Sequence, residues 1–263
     1  MTDGADAGPA SAEAPRLSHR LVWREAEVHE VLVETDRARS LVLLVPGWPG
    51  HLPGQHVDVR LTSEDGYQAE RSYSIASAPE PTDRVVLTVE RIDDGEVSPF
   101  LTGELRVGDK LELRGPIGGY FTWAGGGPRP LQLLAGGSGI VPLMAMLRHR
   151  AHLAPRTLAR LLYSSRTWAT TIYGPELERL AQGDSRLAVT YALTRERPPG
   201  WSGESRRVDG PMLRALAFPP SAEPDVFVCG PTAFVESVAD QMVDWGHDAA
   251  RIKTERFGPT GGA

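Results

Sequence analysis

Cysteine is nearly missing from this sequence: Cys229 stands alone among 263 residues, so the chain can form no internal disulfide and hold no cluster ligated by several thiolates. Iron–sulfur chemistry, if the function requires it, is expected on another protein. No apolar run approaches the ~20 residues that a membrane-spanning helix needs. With 41% hydrophobic and 24% charged residues, the composition is globular, and no membrane partner is expected. A basic excess is also lacking. The net charge of −6 argues against a nucleic-acid binder, which would carry a basic stripe, and local clusters such as Arg148-His149-Arg150 are too short to assign a partner. Residues 1–18 show neither the basic start nor the apolar stretch of a secretory signal. Small, acidic and Pro-containing, they are expected to form a disordered tail on a cytoplasmic protein.

What is present divides in two, and the length fits two domains of ordinary size. From 19 to 124 the sequence runs in six short alternating or β-branched stretches broken by turn residues: EVHEVLVET, RSLVLLVPG, QHVDVRLT, RSYSIASA, RVVLTVERI and KLELRGP. That spacing predicts a small antiparallel six-stranded β-barrel or sandwich. Between the fifth and sixth strands, Ser98-Pro99-Phe100-Leu101 predicts a short helix with Ser98 as its cap and Pro99 at its first position. A helix start there offers N–H groups to a phosphate. The run Ala124-Gly125-Gly126-Gly127-Pro128-Arg129-Pro130 marks a domain boundary. From 130 to 258 apolar strands alternate with amphipathic helices, which predicts an α/β domain with a parallel sheet covered on both faces. Residues 259–263 are a C-terminal tail.

Several stretches carry candidate chemistry. In Arg71-Ser72-Tyr73-Ser74 a strand would throw Arg71 and Tyr73 to one face and Ser72 and Ser74 to the other. This is a platform for a large, flat, phosphorylated ligand, although an ordinary exposed strand fits the same four residues. In LLAGGSGIVPLMAM a buried strand runs through Gly136-Gly137-Ser138-Gly139 into a helix. The turn suits a pyrophosphate at a helix start, or is simply a tight strand-to-helix connection. The next strand ends in Tyr163-Ser164-Ser165-Arg166, whose guanidinium could grip a ribose 2′-phosphate, and Arg195 occupies the equivalent strand end one unit later. Both residues also fit as ordinary surface arginines. Cys229-Gly230-Pro231 ends a fourth strand, where Cys229 either lines a site or is a buried small hydrophobe. Glu255 and Phe257, two apart on the last strand, could bracket a planar ring, or be a solvated acid and a core aromatic.

Together and in this order, RSYS, GEVSPFL, GPIGGYF, AGGSGIVP, YSSR, VCGP and ERF resemble the ferredoxin–NADP reductase superfamily over about Arg20 to Gly258. Within it the sequence is most similar to the stand-alone bacterial reductases and the flavin modules of oxygenase reductases. The resemblance implies an FAD-binding β-barrel domain over 19–124 and an NAD(P)-binding α/β domain over 130–258. It implies that Arg71, Ser72, Tyr73 and Ser74 bind FAD, with Tyr73 stacked on the isoalloxazine, Arg71 at the pyrophosphate and Ser74 near the reactive ring edge. Val89, Gly95, Val97 and Ser98 follow as further flavin contacts, the last three at the second phosphate segment. Gly136, Gly137, Ser138 and Gly139 are implied as the coenzyme pyrophosphate loop, Ser165, Arg166 and Arg195 as adenosine-side contacts, and Cys229, Gly230 and Pro231 as the nicotinamide wall.

Ser74, Cys229, Glu255 and Phe257 are thereby implied at the hydride-transfer pocket. Two departures stand out: Phe257 replaces the terminal Tyr of the plant-type enzymes, and Tyr173-Gly174-Pro175-Glu176-Leu177 follows YSSRT where an EEL-like run is usual. The implied activity is hydride transfer from NADPH, or NADH, to FAD, then single-electron transfer to a separate ferredoxin, flavodoxin or metalloenzyme. An NAD(P)H:flavin reductase and a non-catalytic nucleotide-sensing subunit are the alternatives. No metal site is expected.

Overall fold

In the computed structural model, which describes residues 21–63, 65–79 and 83–257, the two sequence patterns become two sheets. The expected tails, 1–18 and 259–263, lie outside the described residues, as do 19, 20 and 258.

The first sheet contains β1 (Trp23–Val33), β2 (Ala38–Leu44), β3 (His56–Thr62), β4 (Gln68–Ser74), β5 (Arg84–Glu90) and β6 (Lys110–Ile117), in the order β4-β3-β6-β1-β2-β5. All its pairings are antiparallel. Period-2 alternation explains the burial: Val57 and Val59 of β3 and Leu111 and Leu113 of β6 point inward, with polar residues between them. A bridge between Ile75 and Leu87 joins the two edges of this sheet, so the strands close around a core that includes Val28, Leu41, Leu43, Ile75 and Leu87. Helix α1 (Ser98–Gly103) covers one end. Its start differs from the sequence expectation. Val97 is the cap residue and Ser98 lies within the first turn, because the Ser98 hydroxyl is spent on the backbone of Ile92, accepting from its N–H at 3.0 Å.

The second sheet is parallel: β7 (Leu131–Gly136), β8 (Ala159–Ser165), β9 (Leu187–Leu193), β10 (Asp225–Pro231) and β11 (Ile252–Phe257), ordered β11-β10-β7-β8-β9. Helices α2 (Ile140–Leu153), α3 (Gly174–Gly183), α4 (Gly210–Leu216) and α5 (Thr232–Trp245) connect the strands. Leu133 and Leu161 bury one face while their neighbours Leu134 and Leu162 bury the other, which is why these strands read as continuous apolar runs. The chain leaves β7 toward β8 and β9 and later returns to its other side with β10. This reversal opens a crevice at the carboxyl ends of β7 and β10. Among the described residues no helix is long and apolar enough to cross a membrane.

The sheets share a core. Ala38, Ala76, Phe121 and Trp123 from the barrel side pack with Leu143, Met146 and Leu147 of α2, and Phe121 meets Phe227 edge-on at 5.4 Å. Two polar ties reinforce the contact: Tyr120 donates to the Ile252 carbonyl at 3.2 Å, and Lys253 to the Thr122 carbonyl at 2.9 Å.

Candidate functional site

Where the carboxyl end of β4 faces β11, side chains 181 positions apart meet: Ser74 Oγ donates to Glu255 Oε1 at 3.3 Å. In the β10–β11 register Glu255 sits opposite Cys229, and Phe257 opposite Pro231. Burial pushes the Glu255 carboxyl up to about 7, against the smaller opposing effect of the Ser74 hydrogen bond. Burial, with the neighbouring Glu255 adding to it, also pushes the Cys229 thiol well up. Cys229 is therefore a neutral packing group rather than a nucleophile, and Glu255 can exchange a proton near neutrality.

That shift links the site to stability. Glu255 holds its proton in the folded chain from about 4.5, its ordinary value, to about 7. Its contribution is therefore fully present below pH ~4.5 and lost as pH rises through ~7. Denaturant unfolding of the wild type and Glu255→Gln at pH 5 and pH 8 is expected to show the wild type losing on the order of 2 kcal/mol relative to the variant at the higher pH. A difference between the two that does not change with pH would contradict the assignment.

On the barrel side, Arg71 reaches the segment that leads into α1, and Tyr73 lies on the same strand face as Arg71. Arg71 Nη2 pairs with Glu96 Oε2 at 2.7 Å, and Tyr67 donates to Glu96 Oε1 at 2.9 Å. Glu96 lies between Gly95 and Val97, so the RSYS strand and the GEVS segment, separate in sequence, are adjacent here. The Arg71–Glu96 pair is half-exposed. Such pairs contribute ~0–1 kcal/mol, little enough for a phosphate to replace the carboxylate. Tyr73 rests half-buried on the barrel core, its hydroxyl pushed up to about 12 by burial, which keeps the ring neutral for stacking. Among the described residues no side chain caps α1. The cation, the neutral aromatic and the uncapped turn fit a flavin nucleotide.

Other expected contacts sit differently. Ser72 donates to Asp58 Oδ1 at 2.7 Å, on the opposite strand face from Arg71 and Tyr73. Asp58 also pairs with Arg114 at 2.7 Å, and Arg114 and Arg60 both lie over the Trp23 ring. Ser72 therefore joins a side-chain network of the barrel. Val89 and Val97 are fully buried in the barrel core.

On the coenzyme side, β7 ends at Gly136, and a 3₁₀ turn over Gly137–Gly139 leads into α2, with no side-chain cap at either start among the described residues. Gly137 has φ +55°, a left-handed conformation with open space around its Cα. Phe234 of α5, a residue sequence reasoning missed, packs against Gly136: a Cβ there would lie 2.8 Å from its ring. The only sequence signal for it is an aromatic in the first turn after VCGP. Uncapped N–H groups and an open glycine fit a pyrophosphate. Ser165 spends its hydroxyl locally, on the Thr167 carbonyl and Thr170. Arg166 and Arg195 are exposed and adjacent, joined by Arg195 N–H to the Arg166 carbonyl at 2.9 Å. Among the described residues neither guanidinium has a carboxylate partner.

Comparison with known proteins matches this layout. The oxidoreductase FAD-binding domain family matches residues 45–122, and the oxidoreductase NAD-binding domain family matches 133–240. The ferredoxin reductase component of 3-ketosteroid-9-alpha-monooxygenase from Mycolicibacterium smegmatis is 31% identical over 258 residues, covering 93% of this chain and 67% of that protein. The chain belongs to the ferredoxin–NADP reductase superfamily. A second relative, the glycine betaine monooxygenase reductase subunit of Chromohalobacter salexigens, is 32% identical over 210 residues. The alignment covers 79% of this chain and 56% of that protein, so the chain spans little more than half the relative's length. Among solved structures, the FAD/NAD-binding domain of nitric oxide dioxygenase from Vibrio cholerae superposes with a TM-score of 0.80 at 26% identity, covering 90% of this chain and 99% of that one. As a superfamily member the chain takes FAD and a nicotinamide dinucleotide as cofactors.

Proposed function

We propose that the chain is an FAD-dependent NAD(P)H oxidoreductase: held by its barrel, FAD would supply hydride acceptance from NADPH, or NADH, and single-electron delivery to a separate acceptor protein. The observation that carries this reading is the meeting of Ser74 with Glu255, beside Cys229, where the flavin barrel faces the coenzyme crevice. The chain's contribution is positional and electrostatic. Residues 19–124 form the flavin unit, with Arg71 and the uncapped α1 start holding phosphates and Tyr73 supporting the ring system. Residues 130–258 form the coenzyme unit, with Gly136, Gly137, Ser138 and Gly139 around the pyrophosphate. Cys229, Gly230 and Pro231 wall the nicotinamide pocket, and Ser74 and Glu255 order it. Phe257, which packs against the shared core, covers its outer side. The acceptor is a ferredoxin, a flavodoxin or a metalloenzyme, with an oxygenase favoured because both named relatives are reductase parts of monooxygenases. The protein works in the cytoplasm.

Purified protein should be yellow, and NADPH or NADH should bleach it without oxygen. A colourless protein that takes up no added FAD would end this reading. Arg166, exposed just after β8 and without a carboxylate partner among the described residues, favours NADPH, through a bidentate contact to the ribose 2′-phosphate. Arg166→Ala is expected to raise KM for NADPH by up to ~100-fold, from the roughly 1.5–3 kcal/mol of a charge-assisted contact, and to leave NADH nearly unchanged. Steady-state kinetics with both coenzymes checks this, and equal effects would remove the case for NADPH.

A further inference from the structure

A hydrogen-bonded chain with a single direction crosses between the two sheets, away from the reacting groups. Tyr173 caps α3 in a left-handed conformation, φ 61°, with its side chain buried. Its hydroxyl donates to Thr88 Oγ1 on β5, a residue 85 positions earlier. Thr88 Oγ1 lies 2.7 Å from Ser40 Oγ on β2, and Ser40 donates to Glu34 Oε1 at 2.6 Å. Since the Ser40 proton goes to Glu34, Ser40 accepts from Thr88, and Thr88 in turn accepts from Tyr173. Every donor points toward Glu34. Bonds aligned in this way polarise one another, and a buried member left without its partner is costly.

A second clamp lies beside the first. Arg148 of α2 stands 5.0 Å over the Tyr173 ring, binds Glu176 of α3 through two hydrogen bonds of 2.9 and 2.6 Å, and donates through Nη1 to the Ala76 carbonyl at 2.8 Å. The two barrel anchors flank one seam. Ala76 follows Ile75, Thr88 follows Leu87, and the Ile75–Leu87 bridge is the contact that closes the barrel. Ser74 immediately precedes Ile75. The coenzyme-side unit therefore grips the barrel where the strand carrying Ser74 meets β5. On its own side Tyr173 is tied back to the strand of Arg166: Ile172 N–H donates to the Tyr163 hydroxyl at 3.2 Å. Hydrophobic contact such as that of Phe121 and Trp123 is non-directional; the Tyr120–Ile252 and Lys253–Thr122 hydrogen bonds orient the units at β11, and those of Tyr173 and Arg148 orient them at the barrel seam.

We propose that Tyr173, with Arg148, is a latch that fixes the coenzyme unit on the seam of the barrel and so sets Glu255 against Ser74, making Tyr173 a positioning residue for the reaction. This rests on the reductase reading given above. Tyr173→Phe keeps the ring and the Arg148 contact and removes only the hydroxyl. Thr88→Val keeps the shape and removes the relay, while Thr88→Ser keeps the relay.

Rapid mixing of the FAD-loaded protein with whichever coenzyme the wild type uses is the activity measurement. The limiting bleaching rate is expected to fall about tenfold in Tyr173→Phe and in Thr88→Val, the cost of a small misplacement of the reacting groups, with the half-saturating coenzyme concentration unchanged. The double variant should be no slower than either single one. Thr88→Ser should retain the wild-type rate. Hydrogen exchange on the FAD-free protein is the independent measurement, and the amides of β5 and of 172–176 should exchange faster in Tyr173→Phe and Thr88→Val.

A structural role alone would lower stability and leave the limiting rate intact, and that result overturns the proposal. Additive losses in the double variant would overturn it too. Should Tyr173→Phe fail to fold, the Thr88→Val and Thr88→Ser pair decides. If neither coenzyme bleaches the wild type, the reductase reading falls, and unchanged exchange in the FAD-free variants would then overturn the latch separately.

Discussion

Gly139→Ala is expected to lower the melting temperature by roughly 3–10 °C and to weaken coenzyme binding more than any other single change in the turn. Gly139 has an ordinary helical φ of −60°, so its backbone does not require glycine. The constraint is space. A Cβ there would run into the Cys229 carbonyl and come within 2.6 Å of Gly230 N, both backbone atoms of β10 that cannot turn aside like a flexible side chain. Either the 3₁₀ turn or the end of β10 must move, at about 1–3 kcal/mol for overpacking. The same movement displaces the uncapped start of α2 and the wall at Cys229 together. Gly137 reverses the argument: it has room for a Cβ but a positive φ. Gly137→Asn, which tolerates that conformation, should leave the melting temperature almost unchanged. Thermal unfolding with and without added coenzyme measures both variants, and equal shifts at the two positions would contradict this division between space and backbone conformation.

Tyr73→Ala is expected to strip the flavin during gel filtration. Stacking on an aromatic ring contributes roughly 1–3 kcal/mol, so the loss in FAD affinity should approach ~100-fold. Tyr73→Phe should keep the flavin, because the hydroxyl at about 12 stays protonated at any working pH and the neutral ring does the stacking. The ratio of flavin to protein absorbance after the column measures both. A flavin-loaded Tyr73→Ala protein would remove Tyr73 from the site.

The elements were legible in the sequence because each follows a local rule. Alternation marked β3 and β6, Gly and Pro marked the turns, and paired apolar neighbours such as Leu133-Leu134 marked the covered parallel sheet. Strand order followed no local rule: β6 pairs with both β1 and β3, contacts between segments some fifty to ninety residues apart. At the site, Ser74 and Glu255 could be named but not joined, since only the assembled fold brings them to 3.3 Å. Ser98 misled because Ser before Pro is a common helix start, whereas here the hydroxyl is drawn to Ile92. The chain from Tyr173 to Glu34 left no pattern, since Thr88 and Ser40 read as ordinary strand residues.

The position of β11 has a consequence for the order of assembly. Every barrel strand is complete by Ile117, and domains generally fold as units from the N-terminus during synthesis. Glu255 and Phe257 lie on the last strand among the described residues, at the sheet edge, and pair with β10 alone there. A nascent chain therefore completes the barrel strands more than a hundred residues before Glu255 is made. Until β11 arrives, such an intermediate would lack the side chains that order a coenzyme against the ring, and so would be held back from spending reducing equivalents on oxygen.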